Sequence, residues 1–221
     1  MFITNQIRKQ ILELKPCHFT QSFSKIFSWK ELENLLNLRP YVNAKRFKII
    51  NNKGYNWDRQ AWMSDVNCFP PSLLADELKQ HHCYFSDSSR VNRNVNTICS
   101  ELESLFENSA VDAHIYFTLA DNLEGGFGIH WDFSHNLIVQ VEGSTRFLLW
   151  DYYADESEIE RVAESLPVDP VYDVILNPGD AVFVPLRSYH RAISQTKRLS
   201  VSFPISLYED SPPQDRHWIE I

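Results

Sequence analysis

The spacing of hydrophobic residues along the chain changes near its middle. Up to about residue 110, apolar residues recur every three to four positions, which is typical of amphipathic helices. The predicted helices cover residues 1–15, 28–38, 70–81 and 94–107. Ser28 and Glu31 form a capping box that predicts where the second helix begins. With one short edge strand predicted at 45–50, the first half should be mainly helical.

The second half, from Val111 to Ile205, has the pattern of short strands. Its segments are rich in β-branched and aromatic residues and are separated by turns such as Asn177-Pro178-Gly179. The predicted strands cover residues 112–119, 127–132, 136–142, 146–151, 172–176, 180–184, 189–194 and 198–205. The acidic stretch Asp155–Ser165 predicts a helix inserted between them. We therefore expect helices packed on an antiparallel barrel or sandwich.

Composition narrows the class of protein. A formal net charge of −8 disfavours a general nucleic-acid binder, because an acidic surface repels phosphates. No apolar run approaches the roughly 20 residues of a membrane span, and the first residues lack the apolar core of a signal peptide. The four cysteines form no CxxC pair. We expect a cytoplasmic protein with free thiols and no membrane partner.

A candidate metal site begins in the segment Gly128–Asp132. Residues two apart on a strand point to the same side, so His130 and Asp132 should project together. One imidazole and one carboxylate are two of the three ligands of a 2-His-1-carboxylate triad, which leaves open positions on Fe(II). A Pro-Gly-Asp turn, an apolar strand and a proline precede His190, which would deliver the third ligand from a neighbouring strand.

Three stretches carry a family resemblance: HWDFSHNLIVQVEGSTRFLLWD, LNPGDAVFVPLRSYH and RLSVSFPI. Together they resemble the cupin-like JmjC oxygenases, closest to the ribosomal-protein hydroxylases (the cupin 4 group). Gln140 and Gly143 match the family's Q-x-x-G turn. The resemblance implies a mainly β fold with α, a double-stranded β-helix of the cupin or jelly-roll type with an N-terminal helical extension. It divides the chain into a helical region (1–109), the catalytic barrel (110–205) and a C-terminal tail (206–221).

The resemblance also implies Fe(II) and 2-oxoglutarate as cofactors, with His130, Asp132 and His190 as the metal-binding and catalytic residues. The family's basic residue that holds the far carboxylate of 2-oxoglutarate is replaced here by Thr145. Strand alternation should point the adjacent Arg146 outward. Arg198 is the preferred replacement, because a guanidinium binds a carboxylate with two hydrogen bonds. The other residues expected around the cosubstrate are Ser200, Tyr116, Thr145 and Asn136.

Several questions stay open at the level of sequence. The expected reaction is hydroxylation of an amino-acid side chain in a peptide or protein, or of a small natural product. Thr145 leaves room for a metal-dependent cupin enzyme that does not use 2-oxoglutarate, and a third alternative is a non-enzymatic binding module. The N-terminal helices would allow a homodimer.

Overall fold

The computed structural model describes most of the chain, and everything below concerns the described part. The described residues are 1–38, 42, 46–50, 56–57, 71–123, 126–158 and 160–208. Four helices occur there: α1 (Asn5–Leu12), α2 (Trp29–Asn37), α3 (Pro71–Gln80) and α4 (Arg93–Glu103). The predicted N-cap is present, since the Ser28 hydroxyl accepts a hydrogen bond from the Glu31 N–H, and the Glu31 carboxylate in turn accepts from the Ser28 hydroxyl. None of these helices is long and apolar enough to cross a membrane.

Fourteen strands are described, and all of them belong to two antiparallel sheets. Those of the larger sheet are β1 (Cys17–Phe19), β2 (Phe47–Ile50), β3 (Asn56–Trp57), β4 (His82–Phe85), β5 (Ser109–Val111), β6 (His114–Thr118), β8 (His135–Glu142), β12 (Ala181–Val184) and β14 (Arg198–Leu207). The smaller sheet contains β7 (Ile129–His130), β9 (Thr145–Tyr153), β10 (Val162–Ala163), β11 (Tyr172–Leu176) and β13 (Ser188–Ser194). The prediction of a mainly β fold with helices is confirmed.

The order of the strands shows how the chain alternates between sheets. The larger sheet runs β1-β12-β8-β14-β6-β4-β2-β3, with β5 also paired to β14, and the smaller one runs β10-β7-β13-β9-β11. The turn at Gly143 and Ser144 takes the chain from β8 in the larger sheet to β9 in the smaller one. Such repeated crossing between two sheets is the expected topology of a jelly-roll barrel.

The larger sheet has two chemically different faces. Residues such as Ile115, Leu137 and Val201 belong to the main hydrophobic core, which also contains apolar residues of α1, α2 and α4. Their strand neighbours, including Tyr116 and Ser200, line a pocket instead. Because side chains alternate along a strand, the helices cover one face and leave the other available for polar groups.

Three sequence-based predictions about elements need correction. Asp155–Ser165 is not helical in its described residues: the Asp155 carboxylate accepts hydrogen bonds from the N–H and hydroxyl of Ser157, forming a local turn, and β10 follows. The strand predicted at 45–50 lies between β3 and β4 rather than at the sheet edge. The N-terminal region also supplies strands, since β1 pairs with β12 and β4 pairs with β6.

Candidate active site

The three residues predicted to form the metal site lie together in the structure. His130 ends β7, Asp132 follows it, and His190 on β13 is the direct antiparallel partner of His130. One potential ligand atom from each residue lies within 4.8 Å of the others. The two imidazole centroids are 4.2 Å apart. Two adjacent strands of the smaller sheet therefore create this cluster through their register.

Both imidazoles are oriented by backbone carbonyls. The Nδ1 atom of His130 lies 3.1 Å from the Gly128 oxygen, and that of His190 lies 3.1 Å from the Ser188 oxygen. An Nδ1–H that donates to a carbonyl leaves the Nε2 lone pair available to a metal. Burial lowers the pKa of His130 to about 4, and burial also lowers the pKa of His190. Both rings are thus neutral near pH 7, as metal binding requires.

The Asp132 carboxylate stays ionised despite its environment. Burial alone would raise its pKa, but His130, His190 and Arg161 together bring the pKa below its ordinary value. Its Oδ2 atom lies 3.5 Å from His190 Nε2 and accepts a hydrogen bond from Asn136 Nδ2 at 3.1 Å. Its Oδ1 atom accepts from the Arg161 guanidinium. The two carboxylate oxygens therefore have different partners.

A small pocket of about 60 Å³ adjoins this cluster. It is lined by His130, Asp132 and His190 together with four of the residues expected near the cosubstrate: Tyr116, Thr145, Arg198 and Ser200. Burial raises the pKa of the Tyr116 phenol, which keeps it a neutral hydrogen-bond donor. The fifth expected residue, Asn136, instead contacts Asp132 and accepts a hydrogen bond from the Ser202 hydroxyl.

Arg198 is a buried cation in this pocket. Only 8% of the residue is exposed, and it donates one hydrogen bond of 3.3 Å to the Thr145 hydroxyl, which itself donates to Gln140. Its Nε atom has no partner among the described residues, and none of their ion pairs includes Arg198. Burial lowers the pKa of this guanidinium to about 10. Such a group is costly without an anion beside it.

Thr145 and Arg146 follow the strand alternation predicted for them. Thr145 is 1% exposed and faces the pocket. Arg146 points outward and makes two hydrogen bonds to the Asp173 carboxylate, at 2.7 and 2.6 Å. Arg146 therefore does not reach the pocket, and Arg198 supplies the positive charge there.

A larger pocket of about 450 Å³ opens onto the same cluster. Aromatic and polar side chains share its walls, and Tyr84 stacks on Tyr116 with centroids 5.0 Å apart. Phe127 packs against His130, and Phe133 is 65% exposed near the opening. His130 and Asp132 line both pockets, so a molecule in the larger one would lie next to the cluster.

Sequence reasoning missed Arg161, Tyr84 and Phe127. Arg161 lies in the segment wrongly predicted as a helix, where it is the sole basic residue among acidic ones. That isolated positive charge was a usable signal. Tyr84 belongs to β4, which the sequence analysis did not predict, and nothing in the local pattern of Phe127 marks it as part of a pocket.

Comparison with known proteins identifies the family. The JmjC domain matches residues 85–211, more than half of the chain, and the chain belongs to this family. The predicted resemblance to JmjC-type cupins is thereby confirmed. Curated relatives are bifunctional lysine-specific demethylase and histidyl-hydroxylase NO66 proteins. The one from Drosophila persimilis is 24% identical over 192 residues, covering 85% of this chain and 27% of its own length. That from Drosophila melanogaster is 28% identical over 209 residues, covering 85% and 29%.

Solved structures support the fold. The ribosomal oxygenase YcfD from Escherichia coli, in complex with cobalt and 2-oxoglutarate, superposes with a TM-score of 0.62 at 16% identity, covering 95% of this chain and 53% of that one. Another YcfD structure gives 0.66 at 15% identity, covering 95% and 55%. The predicted double-stranded β-helix is confirmed. The chain spans less than a third of the length of the NO66 relatives and about half of YcfD.

Proposed function

We propose that this protein is an Fe(II)- and 2-oxoglutarate-dependent oxygenase that hydroxylates an amino-acid side chain in a peptide or protein. One observation carries the proposal. A single pocket is lined both by His130, Asp132 and His190 and by Arg198, a buried arginine without an anionic partner among the described residues. Metal-binding residues beside an unpaired cation suit a small molecule that chelates the metal through one end and carries a carboxylate at the other.

The donor set fits Fe(II). His130 and His190 would bind through Nε2, and Asp132 through a carboxylate oxygen, leaving open positions for the cosubstrate and dioxygen. Bound iron and 2-oxoglutarate would supply the oxidising chemistry, namely the activation of dioxygen. The residues of the chain keep the imidazoles neutral and hold the carboxylate ionised.

The spacing along the strands suits a molecule with two separated acidic ends. On β13, His190 pairs with Leu149 of β9, whereas the Thr145 hydroxyl that binds Arg198 lies four residues away on β9. The metal cluster and Arg198 thus lie at different points along the strands, yet they line the same small pocket. A short dicarboxylate held there would contact both. Tyr116 and Ser200 would donate further hydrogen bonds.

The larger pocket is the proposed substrate site. Its aromatic walls and its position against His130 and Asp132 would hold a side chain next to the metal. The names of the relatives, histidyl-hydroxylase and ribosomal oxygenase, support a protein side chain as substrate rather than a small natural product.

A cytoplasmic location and a homodimer stay predictions. Among the described residues, Cys17 and Cys83 carry free thiols.

The test is an anaerobic titration of the Fe(II)-loaded protein with 2-oxoglutarate, in which the visible charge-transfer band of the chelate is followed. We expect the band in the wild type, its loss in His190→Ala, and a weaker apparent affinity for 2-oxoglutarate in Arg198→Met. Arg146→Met is the matched control, because Arg146 is also a sheet arginine but lies outside the pocket, bound to Asp173. It should titrate as the wild type does.

Two results would contradict the proposal in different ways. If iron binds stoichiometrically but no band forms, the protein is a metal-dependent cupin that works without 2-oxoglutarate. If neither Fe(II) nor Co(II) binds, the barrel is a non-enzymatic module. If Arg198→Met forms the band and binds 2-oxoglutarate with wild-type affinity, the oxygenase assignment stands but Arg198 is not the carboxylate anchor.

A further inference from the structure

Arg161 contacts the proposed ligand Asp132 at a different carboxylate oxygen from the one near His190. Its guanidinium donates through Nη2 to Asp132 Oδ1 and through Nε to the Trp131 carbonyl oxygen at 3.0 Å. The other carboxylate oxygen, Oδ2, is the one near His190 Nε2, at 3.5 Å. The arginine thus occupies one oxygen of Asp132 and leaves the second facing the histidine.

The backbone around Arg161 is fastened to the ligand segment. Val162 of β10 pairs with His130 of β7, the Trp131 N–H donates to the Arg161 carbonyl, and the Trp131 indole donates to the Glu160 carbonyl. The guanidinium carbon also lies 5.9 Å from the Trp131 ring centroid. Arg161 is therefore held in place from several directions and is not a freely moving surface side chain.

We propose that Arg161 is a positioning residue that makes Asp132 a one-oxygen ligand. By occupying Oδ1, it leaves Oδ2 alone to face the metal, and it fixes the rotation of the carboxylate. A carboxylate that took a second coordination position would remove one of those that the cosubstrate and dioxygen need. This inference rests on the proposed function, because it assigns a role toward the same metal site.

The test measures metal binding rather than turnover. Wild type, Arg161→Ala, Arg161→Lys and Arg146→Ala are titrated with Co(II), and both the affinity and the visible ligand-field spectrum are recorded. Arg146 is a close control: its side chain is 47% exposed against 44% for Arg161, and it also binds an aspartate on the smaller sheet. Thermal unfolding of the metal-free proteins reports any change in stability.

We expect Arg161→Ala to bind Co(II) about 10- to 100-fold more weakly, as when other groups that orient metal ligands are removed. Its spectrum should also change, because the carboxylate, then held by Asn136 at Oδ2 alone, can rotate. Arg161→Lys keeps the charge without the planar fork and should have an intermediate affinity. Arg146→Ala should match the wild type in affinity and spectrum, even if the two alanine variants lose similar stability.

Wild-type affinity and an unchanged spectrum in Arg161→Ala would overturn the proposal and leave a purely structural ion pair. If Arg161→Ala does not fold, the lysine variant decides, and wild-type affinity and spectrum there would overturn it equally. Failure of the proposed function looks different. A wild-type protein that binds no Co(II) would overturn both proposals together, whereas one that binds metal but forms no chelate band with 2-oxoglutarate would overturn the proposed function alone.

Discussion

At the scale of single residues, Arg198 has opposite effects on stability and on the proposed function. Its guanidinium is buried, burial lowers its pKa to about 10, and the Thr145 hydroxyl is its one hydrogen-bond partner among the described residues. A protein selected only for stability would place an apolar side chain there, since replacing a poorly compensated buried ion by apolar groups is often neutral or stabilising. The arginine is retained at a cost, which is typical of a binding site.

We therefore expect Arg198→Met to separate stability from 2-oxoglutarate binding. The metal-free variant should be as stable as the wild type or more so, measured as the free energy of unfolding in urea. Its affinity for 2-oxoglutarate should fall by about 10- to 100-fold, because a charge-assisted hydrogen bond contributes about 1.5–3 kcal/mol. A large loss of stability with unchanged 2-oxoglutarate binding would mean that Arg198 is a structural residue. Arg146→Met should change neither quantity appreciably.

At the scale of elements, the turn between β8 and β9 constrains the fold most tightly. Gly143 has a φ of +68°, and a Cβ atom there would lie 1.9 Å from the Lys197 carbonyl oxygen. The segment around Lys197 packs against this turn, because the Ser144 N–H donates to the Thr196 hydroxyl. Only glycine satisfies both the left-handed backbone and the close approach.

We therefore expect Gly143→Ala to destabilise the protein by about 3 kcal/mol or more, or to prevent folding. Gly126→Ala separates the cost of the backbone conformation from the cost of the close contact. Gly126 also has a positive φ, of +94°, but the atom nearest to a Cβ added there is 3.9 Å away. That variant should lose only about 1–2 kcal/mol, the cost of the backbone conformation. Equal losses in urea unfolding would show that the contact with Lys197 contributes nothing.

The start of β8 predicts a pH dependence that does not involve the proposed metal ligands. Nδ1 of His135 accepts a 2.8 Å hydrogen bond from the Leu186 N–H, so the ring must be neutral in the folded state. Burial lowers its pKa below the ordinary value of 6.5. The unfolded chain therefore takes up the proton first, and this contribution to stability is present above about pH 6.5 and is lost as the pH falls below it.

His135→Phe tests this dependence while preserving the stacking with Phe106 and Phe183. At pH 7 the variant should be less stable by about 1–3 kcal/mol, because the Leu186 N–H loses its acceptor. The difference in unfolding free energy between wild type and variant should shrink as the pH is lowered from 7 to 5. A difference that stays constant over this range would show that His135 does not titrate as described.

The elements also show what the sequence could and could not predict. Alternation along a strand is local, so the inward Thr145 could be read from spacing alone. The same spacing pointed to His130 and Asp132, although Asp132 lies just beyond the end of β7. The role of Arg161 depends on β10 pairing with β7 about thirty residues away in sequence, which no local pattern encodes. The acidic run around it matches a solvated helix as well as a loop, and the local turn at Asp155 decides between them.

At the scale of the whole molecule, the two sheets make different contributions to the pocket. The proposed metal ligands lie in or directly after strands of the smaller sheet, β7 and β13, whereas Tyr116, Arg198 and Ser200 belong to β6 and β14 of the larger one. Metal alone should therefore stabilise one sheet. A cosubstrate that reaches from the metal to Arg198 would connect both sheets across the interior of the barrel.

This division predicts a conditional stabilisation by 2-oxoglutarate. Co(II) alone should raise the midpoint of thermal unfolding, and 2-oxoglutarate should raise it further only when Co(II) is present. At a concentration of 100 times its dissociation constant the added stabilisation would be about 2.7 kcal/mol. His190→Ala should respond to neither compound, while Arg198→Met should keep most of the metal response and lose the increment from 2-oxoglutarate. An equal response to 2-oxoglutarate without metal would mean that the dicarboxylate binds without chelation, and the two sheets would then not be connected through the metal.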